Sequence, residues 1–168
     1  MGRPSMVVAQ TLMAGALLVV ALKAVAQQAE PTGTQARPES IELTNNQTTG
    51  SFAVSPDVLA SAPPVLGLSF PRVVNPANTP FSIFVHFSYR TATDTGTSPE
   101  KMLVGNASLY PADRPGGFRL RASAAFAKLK AAKATDLRLV VELKRIHPAQ
   151  PWTQVEVTVA PPQWRDER

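Results

Sequence analysis

Between Phe81 and Tyr89 the chain reads Phe-Ser-Ile-Phe-Val-His-Phe-Ser-Tyr, and no other run constrains the fold as tightly. Successive side chains of a strand point to opposite faces, so Phe81, Ile83, Val85, Phe87 and Tyr89 share one face. β-Branched and aromatic residues are the ones that suit such a pleated surface. The run is therefore expected to be a central strand with one wholly apolar face. Its other face, Ser82, Phe84, His86 and Ser88, is half polar.

The same period of two recurs along the chain. Pro63-Pro64 forces an extended entry into Val65 to Phe70, where Leu66, Leu68 and Phe70 alternate. Met102 to Tyr110 is expected to be a strand with Leu103, Ala107 and Leu109 on its apolar side, and Gly105 within it predicts a bulge or the close approach of another backbone. Phe118 to Arg121 alternates apolar with basic. Asp136 to Ile146 places Leu137, Leu139, Val141 and Leu143 inward and Arg138, Glu142 and Lys144 outward. Trp152 to Ala160 supplies a last strand through Val155, Val157 and Val159. Pro71 to Pro80, Pro111 to Gly117 and Pro148 to Pro151 read as loops or turns, and Arg90 to Glu100 as a long polar connection.

One segment changes period. Ser123 is expected to be the N-cap of a helix over Ala124 to Lys133, with Phe126 and Leu129 on one face and Lys128, Lys130 and Lys133 toward the favourable C-terminal end. Six or seven short strands, turns rich in Pro and Gly, and one short helix predict an all-β fold. The expected form is an antiparallel β-sandwich of immunoglobulin-like or jelly-roll type.

Residues 1–26 read as a secretory signal peptide, with Arg3 as the positive n-region, Met6 to Leu22 as the apolar core and Ala24-Val25-Ala26 as the cleavage site. Cleavage near Ala26 predicts an exported protein, periplasmic or secreted, that meets a membrane only through the uncleaved signal. Residues 27–50 are expected to be a flexible polar leader with at most one edge strand from Ile41 and Leu43. Residues 51–162 would then form the sandwich and residues 163–168 a tail that is polar apart from Trp164. Removing the signal leaves a net charge of +3 in place of the +5 of the full chain. That mild excess, with no aromatic RNA-binding motif and no basic reading helix, excludes nucleic acid as the expected partner; Arg119, Arg121, Lys128, Lys130 and Lys133 read as a solvated face.

Composition bounds the chemistry. The 168 residues contain no Cys and two His. There is thus no disulfide framework, no Cys-ligated zinc, no thiol nucleophile and no three-His zinc site within the subunit. GxSxG, P-loop, dinucleotide and HExxH motifs are missing, and Asp57, Asp94, Asp113 and Asp136 fall in turns or element ends where Asp bonds its own backbone. A mononuclear copper site would have to draw on His86, His147 and Met102, a ligand set that soft copper accepts.

From Leu66 onward the order of features resembles the C-terminal domain of tyrosinases and polyphenol oxidases. Leu66 to Val73 matches its leucine-glycine-valine strand, Phe81 to Phe87 its central aromatic strand, and Leu103 to Tyr110 its valine-glycine strand with an aromatic end. Phe118 to Lys130, Leu137 to Leu143 and Gln154 to Val159 are similar to its strand-plus-helix element and its last two strands. In that family the domain is not the catalyst: it packs over the binuclear copper domain and shields its entrance with a bulky side chain. The copper domain and its six His do not occur in this chain. The resemblance therefore implies a non-catalytic accessory domain without a cofactor of its own, binding a partner copper oxidase in trans, with an aromatic surface as interface. Phe84 and Tyr110 are the candidates for that surface, and Tyr110 for the shielding residue. The alternatives are a small copper carrier and a structural envelope sandwich.

Overall fold

The computed structural model describes residues 39–91, 98–149 and 151–166. The expected signal segment, the first half of the expected leader (27–38) and the middle of the connection after Arg90 lie outside the described residues. Among the described residues, strands β1 (Ile41–Thr44) and β2 (Thr49–Ala53) are followed by helix α1 (Pro56–Ser61). Next come β3 (Val65–Phe70), β4 (Arg72–Val74), β5 (Phe81–Thr91), β6 (Glu100–Ala107) and β7 (Gly116–Arg121). Helix α2 (Ser123–Ala131) leads to β8 (Ala134–Arg145), β9 (Glu156–Val159) and β10 (Gln163–Arg165). No helix among them is long and apolar enough to cross a membrane.

Every strand pairing is antiparallel. One layer is the four-stranded sheet β2-β8-β5-β6. The remaining strands form two three-stranded sheets, β1-β9-β4 and β10-β3-β7, and these are two halves of one layer. Arg72 lies opposite Thr158 and Gly67 opposite Gln163, in a single continuous register. Between them the Ala160 amide donates to the Ser69 carbonyl at 2.9 Å. The ladder is interrupted between the two halves, where this bond falls one residue out of register and Pro71, Pro161 and Pro162 have no N–H to donate. The fold is thus an all-β sandwich, as the alternation predicts.

The core is what the period of two selects. Phe81, Ile83, Val85, Phe87 and Tyr89 of β5 are all buried, as are Leu137, Leu139, Val141 and Leu143 of β8. The other layer contributes Leu66, Leu68 and Phe70 from β3, and Val157 and Val159 from β9. Helix α2 inserts Phe126 and Leu129, both fully buried. The Phe126 ring lies 5.3 Å from that of Phe87 and 5.5 Å from that of Trp164. Burying a side chain of this size contributes about 2–3 kcal/mol, so this aromatic knot is a main element of cohesion.

Several boundaries differ from those expected. β1 and β2 both begin inside the leader assigned to residues 27–50, and Leu43 is fully buried against β9. β1 is the edge strand that Ile41 and Leu43 lead one to expect, whereas the start of β2 at Thr49 lies two residues ahead of the expected sandwich boundary. The tail is not merely polar: β10 pairs with β3, and Trp164 stacks on Phe87 at 6.2 Å. The loop from Pro71 to Pro80 holds β4. A second helix, α1, carries a start signal in Ser55-Pro56-Asp57: Ser55 Oγ accepts from the Val58 amide, Pro56 opens the helix and Asp57 lies in its first turn. α2 begins at Ser123 with Ala122 in the capping position and no side-chain cap.

One buried polar cluster fixes the loops at an end of the sandwich. Asn75, 2 % exposed, donates through Nδ2 to the carbonyls of Thr79 (2.9 Å) and Ala112 (3.1 Å), and its Oδ1 accepts from the Thr79 amide. Asn78 Oδ1 accepts from the Ala112 amide at 3.2 Å. The turn after Tyr110 is therefore tied to the loop before β5.

Candidate functional site

With the apolar face of β5 turned inward, Ser82, Phe84 and His86 lie on the outer face of the four-stranded sheet. Glu142 stands opposite Phe84 on β8, Val140 opposite His86, and Lys144 opposite Ser82. On the β6 side Asn106 is opposite Phe84, and the hydroxyls of Ser82 and Ser108 meet at 3.0 Å.

A bulge decides what else reaches this face. Val85 pairs with Gly105 but His86 pairs with Leu103, so Val104 is the extra residue. An inserted residue reverses the alternation on its far side. Leu103, expected inward with Ala107 and Leu109, is accordingly turned outward and is 54 % exposed, whereas Met102 pairs with Phe87 and packs against the core. Gly105 also allows the close approach that its position suggests, since a Cβ there would lie 3.0 Å from Leu120 Cδ2. Leu103 is thus a surface residue that alternation alone misplaces; the glycine is the signal that the alternation breaks.

The centre of the face is a compact charged and aromatic group. The rings of Phe84 and His86 lie parallel at 6.3 Å. Lys144 Nζ sits 4.6 Å from the Phe84 ring centroid and 3.5 Å from Glu142 Oε2. His86 Nε2 is 3.5 Å from the same carboxylate oxygen but forms no hydrogen bond and is covered from solvent. Burial holds the His86 pKa below the usual histidine value; Glu142 pulls it up less strongly, and Lys144 and Lys101 push it further down. The ring is neutral near pH 7, and Glu142 is left to pair with Lys144.

Around this group stand the exposed hydrophobic side chains. Tyr110 is 99 % exposed just beyond β6, and Ile146, 44 % exposed, follows β8, its amide directed at the Pro80 carbonyl ahead of β5. With Leu103 these are the exposed large hydrophobics of the described residues, and all three belong to this sheet or its ends.

The copper set does not assemble. His86 and Met102 project to opposite faces of the sheet. His147 lies beyond Arg145, which is about 17 Å along β8 from the residue opposite His86 at roughly 3.4 Å per residue. The covered Nε2 of His86 is also closed to a ligand. Among the described residues no group of three or more His, Asp or Glu side chains is placed to hold a metal ion. The basic cluster divides as well: Arg119 and Arg121 are on β7, in the other layer, while Lys130 of α2 donates to the Ala60 carbonyl at 2.8 Å.

Comparison with known protein families, with characterised proteins and with solved structures finds no match to the chain.

Proposed function

We propose that the protein is an exported, non-catalytic binding module that docks onto a partner protein through the outer face of the four-stranded sheet. The observation that carries this reading is the gathering of Leu103, Tyr110 and Ile146 on and around one sheet, with Phe84 between them. Aromatic and aliphatic side chains standing out from a polar sheet face suit the role of anchors, because a few such residues carry most of the binding energy of a recognition surface. The partner we propose is a copper oxidase of the class named by the resemblance. Tyr110 suits the shielding role because it extends fully into solvent from a turn that Asn75 and Asn78 hold in place. The copper carrier is not carried forward, because its three donors lie apart.

The test titrates the purified protein into each exported six-His copper oxidase encoded in the same genome, following complex formation by size exclusion and diphenol oxidation by absorbance. A 1:1 complex with lowered turnover is expected, and Tyr110→Ala should weaken it by roughly tenfold or more. Failure of every such oxidase to bind contradicts the choice of partner.

A further inference from the structure

The outer face of the opposite layer carries a different feature. β3 lies between β10 and β7, and its inward residues Leu66, Leu68 and Phe70 leave Val65, Gly67 and Ser69 facing out. Across the strands Gly67 is flanked by Gln163 and Arg119, and Val65 by Arg165 and Arg121. The inward packing of Trp164 and Phe118 puts Gln163, Arg165 and Arg119 on the outer side with them. Between these side chains runs a shallow trough of about 240 Å³, floored by Gly67, Ser69 and Gly117.

Three observations give the trough a chemistry. Its walls are cationic, and the carboxylates of the same layer do not neutralise them: Glu42 and Glu156 are both within ion-pair distance of Arg72, on the other half of the sheet. Gln163 Oε1 accepts a hydrogen bond from Arg165 Nη2, which steadies that guanidinium at the rim, while Arg119 lines the trough with no described side chain paired to it. Finally, packing does not demand the glycine in the floor. A Cβ at Gly67 would meet only Gln163, its carbonyl oxygen at 3.5 Å and its Cβ at 3.7 Å, both ordinary contacts, although a glycine within a strand costs about 0.5–1 kcal/mol relative to alanine. The opening it leaves is room for a ligand atom.

We propose that this trough binds an oxyanion, a carboxylate or a phosphate, held between the guanidinium groups of Arg119 and Arg165. Planar forks of N–H donors suit both groups and give them charge-assisted hydrogen bonds. Gln163 and Ser69 provide further polar contacts to whatever carries the anion. The site is on the layer opposite the docking face and does not depend on that reading.

Calorimetric titration of the full mature chain with trigalacturonate, inorganic phosphate and neutral maltotriose tests it. Saturable binding of at least one of the two anions is expected, with none of maltotriose, and Arg119→Gln and Arg165→Gln should each weaken it by about tenfold or more. Arg114→Gln, an exposed arginine outside the trough, should leave it unchanged. Tighter binding of trigalacturonate identifies a sugar-borne carboxylate as the source, and equal or tighter binding of phosphate identifies free phosphate. Absence of saturable binding of either anion up to about 10 mM, or equal loss in the Arg114 variant, overturns the proposal.

Discussion

On the outer face of β5 and its neighbours stand Phe84, His86, Leu103, Val140, Glu142 and Lys144; on the outer face of β3 and its neighbours stand Gly67, Ser69, Arg119, Gln163 and Arg165. The inner faces of these two layers are interchangeable in kind, built from Phe, Leu, Ile and Val, because both meet the same demand to leave water. Nothing in the fold requires the outer faces to differ. One carries aromatic and aliphatic side chains around a half-buried histidine, the other a glycine floor between arginines. The difference teaches that the inward pattern reports the fold, while the outward pattern is where binding chemistry is to be sought.

The comparison breaks first if inner and outer aromatic residues contribute alike. Phe126→Ala removes a fully buried ring that touches Phe87 and Trp164, and should cost about 3–5 kcal/mol in chemical denaturation. Phe84→Ala, on the outer face, should cost about 1 kcal/mol, near the value of its contact with Lys144. Equal losses would mean that the outer face is structural. Next in size is a contrast within the other layer. Gly117→Ala places a Cβ 2.6 Å from the Leu68 carbonyl oxygen, which is backbone, and should destabilise by about 1–3 kcal/mol, whereas Gly67→Ala should be neutral or slightly stabilising.

The smallest effect is one of pH. Burial lowers the folded-state pKa of His86 below the 6.5 of an ordinary histidine, so the unfolded chain takes up that proton first as pH falls. Its contribution is therefore most favourable above about pH 6.5 and declines as pH drops through the folded value. Denaturation midpoints measured between pH 7.5 and 5 should fall less steeply in His86→Gln than in the wild type. An unchanged slope would show that the ring is not desolvated as described.

How much of this was legible in the sequence depends on how many neighbours reinforce each signal. β5 and β8 declare themselves because five and four inward residues repeat without interruption. β1 is only faintly marked, because Ile41 and Leu43 give a single repeat of the alternation before Thr, Asn and Gln take over. β10 is hidden behind Pro161-Pro162, and Trp164 looks solitary until Phe87 and Phe126 are brought to it by tertiary packing. On the outer face of the four-stranded sheet the alternation alone exposes Phe84 but turns Leu103 inward, because a bulge changes the alternation and only Gly105 hints at it. The set of His86, Met102 and His147 failed for the same reason in reverse: ligand type can be read from sequence, whereas the face on which a residue lies depends on register.

The central claim is that the outer face of the four-stranded sheet binds a partner while contributing little to folding, and Phe84→Glu combined with Leu103→Lys tests it most directly. The double variant should denature within about 2 kcal/mol of the wild type, a loss that counts the Phe84–Lys144 contact and a carboxylate set opposite Glu142, and should form no complex with an oxidase that the wild type binds. A variant that remains folded and still binds that oxidase with wild-type affinity would contradict the account.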